Sequence, residues 1–404
     1  MPIEPPAAEC GPPIPLWRWA DRQLRELAAI TGSQAIAALN GLTVIGERGS
    51  VRDFEIRGRR SAGVGGSFLN PTRDGSWFAL TIMRAEDRAY LPALFGKPGM
   101  EEASEEEIAA EILLNDSADL LEKGRALGLP VACADEVPAS PPVEVLARGA
   151  HRFREPGHRP LVVDMSAIWA GPLCGHLLWL AGAQVIKVES SKRPDMIRSS
   201  DPQTFAIVNQ GKDCVDVDMA DPEQRDRLVA LIRRADIVLE SSRPRALRHL
   251  GIDAEQLVRE IPGLVWLSIT GHGATGDAAN WVGVGNDCAV AGGLSRALAE
   301  ATGEIGYVGD ALADPLTGIT AALEGWRAYQ AGQAVRLGFS MSAIAAKALA
   351  EERAFGRAAL DAELRAWGAA RGKLFPKVPR RAGLAEVRDL GADTEKWLGK
   401  TAAC

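Results

Sequence analysis

From Pro160 onward the chain repeats one unit, a short apolar run followed by a break and an amphipathic stretch. Leu161-Val162-Val163-Asp164, Gln184-Val185-Ile186-Lys187-Val188-Glu189, Ile237-Val238-Leu239 and Val265-Trp266-Leu267-Ser268-Ile269 read as strands, with Pro172 to Ala181, Pro222 to Arg234 and Ala254 to Glu260 as helices between them. Strands buried on both faces lose the in-and-out alternation of an open sheet, and parallel neighbours need a crossover that is usually helical. The pattern predicts an α/β fold built on a doubly wound, parallel, Rossmann-like sheet. Such sheets bind ligands beyond the carboxyl ends of their strands.

The first part of the chain has a different texture. A helical periodicity runs from about Leu16 to Leu39 and carries no readable function. The glycine cluster Gly63, Gly65, Gly66, then Asp74-Gly75 and the alternating run Ser76 to Ile82, reads as a turn feeding a strand. An acidic helix follows from Ser104, and Pro138 to Pro142 reads as a linker. The expected division is a smaller α+β domain with an N-terminal helical segment over 1–145, then the large domain with a C-terminal extension over 146–404.

With 404 residues the chain exceeds what one core normally spans, so two domains are expected. A net charge of -7 offers no dominant basic face, which argues against nucleic-acid and anionic-membrane partners. The six cysteines are scattered, without CxxC or zinc-type histidine spacing; no metal site is expected, and reduced thiols suggest a cytoplasmic protein. The N-terminus lacks the pattern of a signal peptide, and the most apolar stretch, Pro172 to Val188, is broken by His176, Gln184 and Lys187, short of a membrane span. Nucleotide fingerprints fail: Ala170-Gly171-Pro172-Leu173-Cys174-Gly175 lacks GxGxxG spacing, and no Walker GK[ST] occurs. A dinucleotide enzyme therefore ranks below the readings that follow.

Asp314-Pro315 precedes the apolar helical run Leu316 to Ala328, which predicts Asp314 as N-cap and Pro315 at the first helical position. A carboxylate at the positive end of a helix is favoured in its ionised form by about 0.3–2 kcal/mol. Ionised, it is a nucleophile.

Seven pieces keep one order between Val162 and Ser342. They are the segment Val162 to Glu189 with Ala170-Gly171-Pro172, Asn209-Gln210-Gly211-Lys212, Glu240-Ser241-Ser242-Arg243-Pro244 with Leu250-Gly251, Ser268-Ile269-Thr270-Gly271-His272-Gly273, Gly285-Asn286-Asp287, Leu312-Ala313-Asp314 and Gly338-Phe339-Ser340-Met341-Ser342. In this the chain resembles the family III CoA-transferases, a group that includes formyl-CoA transferase, carnitine CoA-transferase and α-methylacyl-CoA racemase. The Asp74-Gly75-Ser76-Trp77 strand and Gly128-Leu129-Pro130-Val131 look like the family's small domain, placed before the large one; Pro379-Arg380-Arg381 and Gly391 to Gly399 look like its ending. The chain reads as circularly permuted.

The resemblance implies an acyl-CoA:carboxylate CoA-transferase whose substrates are an acyl-CoA and a carboxylic acid acceptor, with no tightly bound cofactor, and a homodimer. It makes Asp314 the catalytic carboxylate, passing through an aspartyl anhydride and an aspartyl-CoA thioester. It assigns Trp169, Ala170, Lys212, Ser242 and His249 to coenzyme A positions, several with unusual residues, and leaves Arg193, Arg198 and Arg243 close enough to compensate. Asn286 and Asp287 align with the segment facing the acyl group, and Gly65 and Gly66 with a glycine-rich loop at the substrate. Trp169 stands where formyl-CoA transferase has a polar residue, which suggests a bulkier acyl group, although a core tryptophan reads equally well. Two alternatives stay open. A racemase would pair Asp314 with a second base, and Asn286 cannot serve, leaving His272; a non-catalytic CoA-binding subunit would retain the fold alone.

Overall fold

The structure is a computed structural model and describes residues 12–50, 58–61, 66–370, 378–379, 381 and 383–399. The larger sheet is made of β5 (Val143–Arg148), β6 (Leu161–Met165), β7 (Gln184–Glu189), β8 (Asp213–Asp216), β9 (Ile237–Glu240), β10 (Val265–Thr270) and β11 (Val335–Ser340). Their spatial order is β5-β11-β10-β9-β6-β7-β8. All neighbours pair in parallel except β5, which runs antiparallel to β11 at one edge. Counted along the chain, the six parallel strands lie in the order 3-2-1-4-5-6, the doubly wound dinucleotide-fold arrangement, with its reversal between β6 and β9. Ligand crevices of such sheets open at that reversal.

The central strands are apolar because both faces are covered. Val162, Ile237, Leu239, Val265 and Leu267 point into one core, while Val163, Val238 and Trp266 point into the other. The period-two alternation is intact, with both of its phases apolar. Helix Ala313–Gln330 packs on the first face beside helix Ala170–Leu180.

A second sheet, β1 (Arg60–Ser61), β2 (Ser67–Pro71), β3 (Trp77–Thr81) and β4 (Val131–Cys133), is antiparallel throughout. Phe78, Leu80 and Val131 face helices of the 85–127 region, including Leu94, Ile108, Ile112 and Leu120. Its other face, Leu69, Ala79 and Ala132, closes on Val290, Ala291 and Tyr307. Helix Gly285–Ala291 thus sits against the small sheet while belonging in sequence to the larger one.

Two placements differ from the sequence expectation. Helix Trp17–Thr31 buries Trp17, Trp19, Leu24 and Leu27 in the core that also holds Leu316 and Ile319, so the N-terminal helical segment packs with the large sheet's helices. The expected boundary at 145 falls inside β5, whose Val143, Val145 and Arg148 all have partners on β11. In the larger sheet β5, which follows directly on the expected linker, was not foreseen, and neither were β8 and β11. The acidic ends Asp213 and Asp216 and the buried Arg336 interrupt the apolar runs that would have marked them. No helix among the described residues is long and apolar enough to cross a membrane.

Candidate active site

The loop after β6 meets the loop after β9 at the reversal point: the Ala167 N–H donates to Ser241 Oγ at 3.2 Å. This first loop is held under tension. Ile168 has φ 72°, a left-handed conformation that a β-branched residue adopts only when its surroundings impose it. Asp195 imposes it by accepting the Ile168 N–H at 3.2 Å. Buried Lys187 donates at 3.1 Å to both Asp195 Oδ2 and the Ser166 carbonyl, fixing the other side of the loop. The chain then turns into helix Ala170–Leu180.

The Ala170 N–H, the first of that helix, donates to Asp314 Oδ1 at 3.3 Å. Asp314 itself lies in the first turn of Ala313–Gln330, beyond the N-cap position expected for it. The turn through Ala311, with φ 46°, starts the helical winding ahead of the Asp-Pro pair, and Pro315 still falls within the first turn, where a missing N–H costs nothing. Helix Gly285–Ala291 starts against the same carboxylate: a Cβ added to Gly285 would stand 2.0 Å from Asp314 Oδ2. Only a glycine allows this approach. Three helix beginnings therefore surround one carboxyl group.

Helix ends favour its ionised form, yet burial dominates. Asp314 is 8% exposed, and desolvation raises its pKa to about 7 against the opposing pull of Arg48 and the Ala170 hydrogen bond, with Asp310 and Asp287 adding like-charge repulsion. Near neutral pH the group is divided between acid and carboxylate, which corrects the expectation of a plainly ionised residue.

The other expected residues scatter. Asn286 is buried and bridges two structures, its Nδ2 donating to Ser67 Oγ at 3.1 Å and its Oδ1 accepting the Ala311 N–H at 2.8 Å. Asp287 is fully buried, accepts the Val284 N–H at 3.1 Å, and lies 3.7 Å from His272 Nε2. Burial pushes its pKa up. Gly66 has φ 86° and adjoins Ser67, which places it beside Asn286; Gly65 lies outside the described residues. Trp169 is 1% exposed and its ring packs in the core, directly before the Ala170 N–H that Asp314 accepts.

Lys212 is turned inward. Its ammonium is buried and donates to Asp164 Oδ2 at 2.8 Å, the Pro172 carbonyl at 2.9 Å and Asn209 Oδ1 at 3.0 Å. All three N–H donors are consumed, leaving none for a phosphate. Arg193, Arg243 and His249 are exposed, in the segments that follow β7 and β9. Ser242 is half-buried and its N–H and Oγ are turned back onto Glu240 Oε2 at 2.9 and 2.6 Å.

Sequence reasoning missed Arg48 and Asp310, which are buried and paired beside Asp314, and the spatial role of Gly285. Gly285 was visible as part of Gly285-Asn286-Asp287. Arg48 gave no signal, since it lies far upstream of every motif. Among the described residues, His272 Nε2, Asp287 and Cys288 Sγ lie within 4.8 Å of one another, the spacing of a possible metal cluster. Two of the three are already engaged: Asp287 caps its helix, and Cys288 Sγ donates to the Gly271 carbonyl at 3.3 Å. A cleft of about 530 Å³ elsewhere is lined by Arg59, Trp77, Asp135, Arg296 and Glu304, none of which touches Asp314.

This geometry, a doubly wound sheet with a buried carboxyl at its reversal, agrees with what comparison of the chain shows. The pattern described as CoA-transferase family III matches residues 160–371, more than half of the sequence. The protein belongs to CoA-transferase family III. Among its relatives, the succinate–glutarate CoA-transferase of Agrobacterium fabrum is 32% identical over 171 residues, covering 39% of this chain and 43% of that one. The succinyl-CoA–D-citramalate CoA-transferase of Chloroflexus aurantiacus is 31% identical over 176 residues, covering 41% and 44%. The chain thus spans less than half the length of these relatives. A solved structure of a hypothetical protein of Mycobacterium tuberculosis (Rv3272) aligns with a TM-score of 0.45 and 26% identity, over 50% of this chain and 60% of that one.

Proposed function

We propose that the protein is an acyl-CoA:carboxylate CoA-transferase with Asp314 as its nucleophile. The observation that carries this is a buried carboxyl group whose pKa is raised to about 7 while three helix starts face it. Such a group is basic enough to attack a thioester and, at neutral pH, still ionised in a useful fraction of molecules.

Asp314 attacks the carbonyl carbon of the donor acyl-CoA. A C–O bond forms, the C–S bond breaks, and coenzyme A leaves as thiolate. The thiolate then attacks the Asp314 acyl carbon of the anhydride and expels the donor acid as carboxylate, giving an aspartyl-CoA thioester. The acceptor carboxylate attacks that thioester, forming a second anhydride and freeing the thiolate again. Attack of the thiolate on the acceptor's carbonyl yields the new acyl-CoA and restores Asp314. Negative charge develops on a carbonyl oxygen at each step, and the Ala170 N–H at the start of its helix is a preorganised donor on that side of Asp314. Exposed Arg193, Arg243 and His249 supply positive or polar groups for the phosphates of coenzyme A. The names of the relatives make short dicarboxylic acids the first acceptors to assay.

Intact-mass measurement after incubation with succinyl-CoA is the direct test. A covalent adduct that maps to Asp314, disappears on adding an acceptor acid and is absent from D314N supports transfer. Incorporation of solvent deuterium at the α-carbon without an adduct would replace this reading by racemisation. Absence of both would leave a protein that only binds coenzyme A.

A further inference from the structure

We propose that Arg48, contributed by a helix outside the family-matched stretch, is the positioning residue that holds Asp314 in place and favours its carboxylate form. This inference rests on Asp314 being the reacting group.

Helix Gly41–Ser50 carries Arg48 into the interior, where it is 8% exposed. Its Nε donates to Asp310 Oδ2 at 2.6 Å and its Nη2 to Asp310 Oδ1 at 2.9 Å, a two-pronged pair that fixes both partners in orientation as well as distance. Asp310 immediately precedes Ala311, the residue with φ 46° that turns the chain into the Asp314 helix and whose N–H Asn286 holds. The same guanidinium lies 5.1 Å from the centre of the Trp169 ring, and Trp169 directly precedes the Ala170 N–H that Asp314 accepts. One cation therefore braces both segments that meet at the carboxyl group.

Its charge also reaches Asp314. Arg48 is the strongest influence drawing the Asp314 pKa down against burial, and it outweighs the opposing charge of its own partner Asp310. A buried ion pair with no further task is often replaceable by apolar residues at little cost. Here replacement would remove the strongest cationic influence on the nucleophile among the described residues. The family match starts at residue 160, so the helix that brings Arg48 lies outside the matched stretch.

The experiment compares full-length wild type, R48M, D310N and the double variant R48M/D310N, each with and without D314N. The pH dependence of the melting-temperature difference between each background and its D314N counterpart reports the titration of Asp314 without requiring turnover. The expected result is an upward shift of that midpoint by about one pH unit in R48M, a tenfold gain in proton affinity. A smaller upward shift is expected in the double variant, and R48K should return the midpoint towards wild type. The pH profile of succinyl-CoA adduct formation should move with it. An unmoved midpoint in both R48M and the double variant overturns the inference even when overall stability falls, because a purely structural pair lowers stability at every pH alike. The double variant covers the case in which R48M alone fails to fold. A midpoint that moves while wild type forms no adduct would sink the transferase reading and leave the role of Arg48 standing.

Discussion

Two buried aspartates on either side of the loop after β6 meet opposite treatment. Asp164, at the end of β6, receives the Lys212 ammonium at 2.8 Å and the Ser166 N–H at 3.0 Å, with the Ser166 hydroxyl on the same carboxylate. Although burial opposes ionisation, Lys212 and Lys187 hold its pKa below the ordinary value. Asp314 receives one N–H at 3.3 Å, and its nearest opposing charge is already committed to Asp310. Its pKa moves the other way, to about 7. The difference teaches that the fold can satisfy a buried carboxylate when stability is the task, and that Asp314 has been left short of partners.

Breaking the comparison most sharply is D314N. Turnover should fall by at least about 10³-fold, since no other group can form the covalent intermediate. The folded protein should nonetheless melt at the same temperature as wild type or higher at pH 8, because the amide removes a poorly solvated charge. A loss of stability comparable to the loss of rate would erase the contrast.

K212M should do the reverse. Leaving Asp164 ionised, buried and without its ammonium should cost about 3–5 kcal/mol in denaturant unfolding. The coenzyme A KM of whatever folded protein remains should stay near the wild-type value. A selective rise in KM with unchanged stability would restore Lys212 to the coenzyme A site.

G285A tests the crowding around Asp314. The new methyl has 2.0 Å to Oδ2 and 2.5 Å to the Ala311 carbonyl, so the carboxylate has to move. A stability loss of about 1–3 kcal/mol is expected, with adduct formation reduced by tenfold or more. Adduct formation at the wild-type rate would mean the carboxylate has room that the geometry denies it.

The smallest effect is a slope. Asp314 has a folded pKa of about 7 against an ordinary 3.8. Between those values the native state keeps a proton that the unfolded chain has lost, so this group's contribution to stability is whole below about pH 4 and declines as pH rises through 7. Adduct formation should climb over the upper part of the same range as the carboxylate ionises. Melting curves of wild type and D314N should diverge with rising pH; parallel curves would place the Asp314 pKa in the normal range.

Much of the larger sheet was legible because its strands are short, apolar and separated by helices with clear signals. Position was legible where a motif gave it, as for Asp314 and Gly285-Asn286-Asp287. What a motif could not convey was the direction of a charge's partners. Lys212 matches a coenzyme A position in sequence, yet its three donors close on Asp164, Pro172 and Asn209. Helical periodicity at Leu16 to Leu39 marked a helix without marking what it packs on, since Trp17 finds Glu363 some 346 positions away. The Arg48–Asp310 pair spans 262 positions, and nothing local in either residue announces the other. Burial likewise offset the ionisation expected from a helix end alone.

One side chain, Asn286, clamps the small sheet at Ser67 to the backbone at Ala311. A rocking of either sheet by more than the slack of two hydrogen bonds has to tear the clamp or drag the base of the Asp314 helix with it. A shift of the small sheet and a shift of the Asp314 helix are therefore mechanically coupled through one amide.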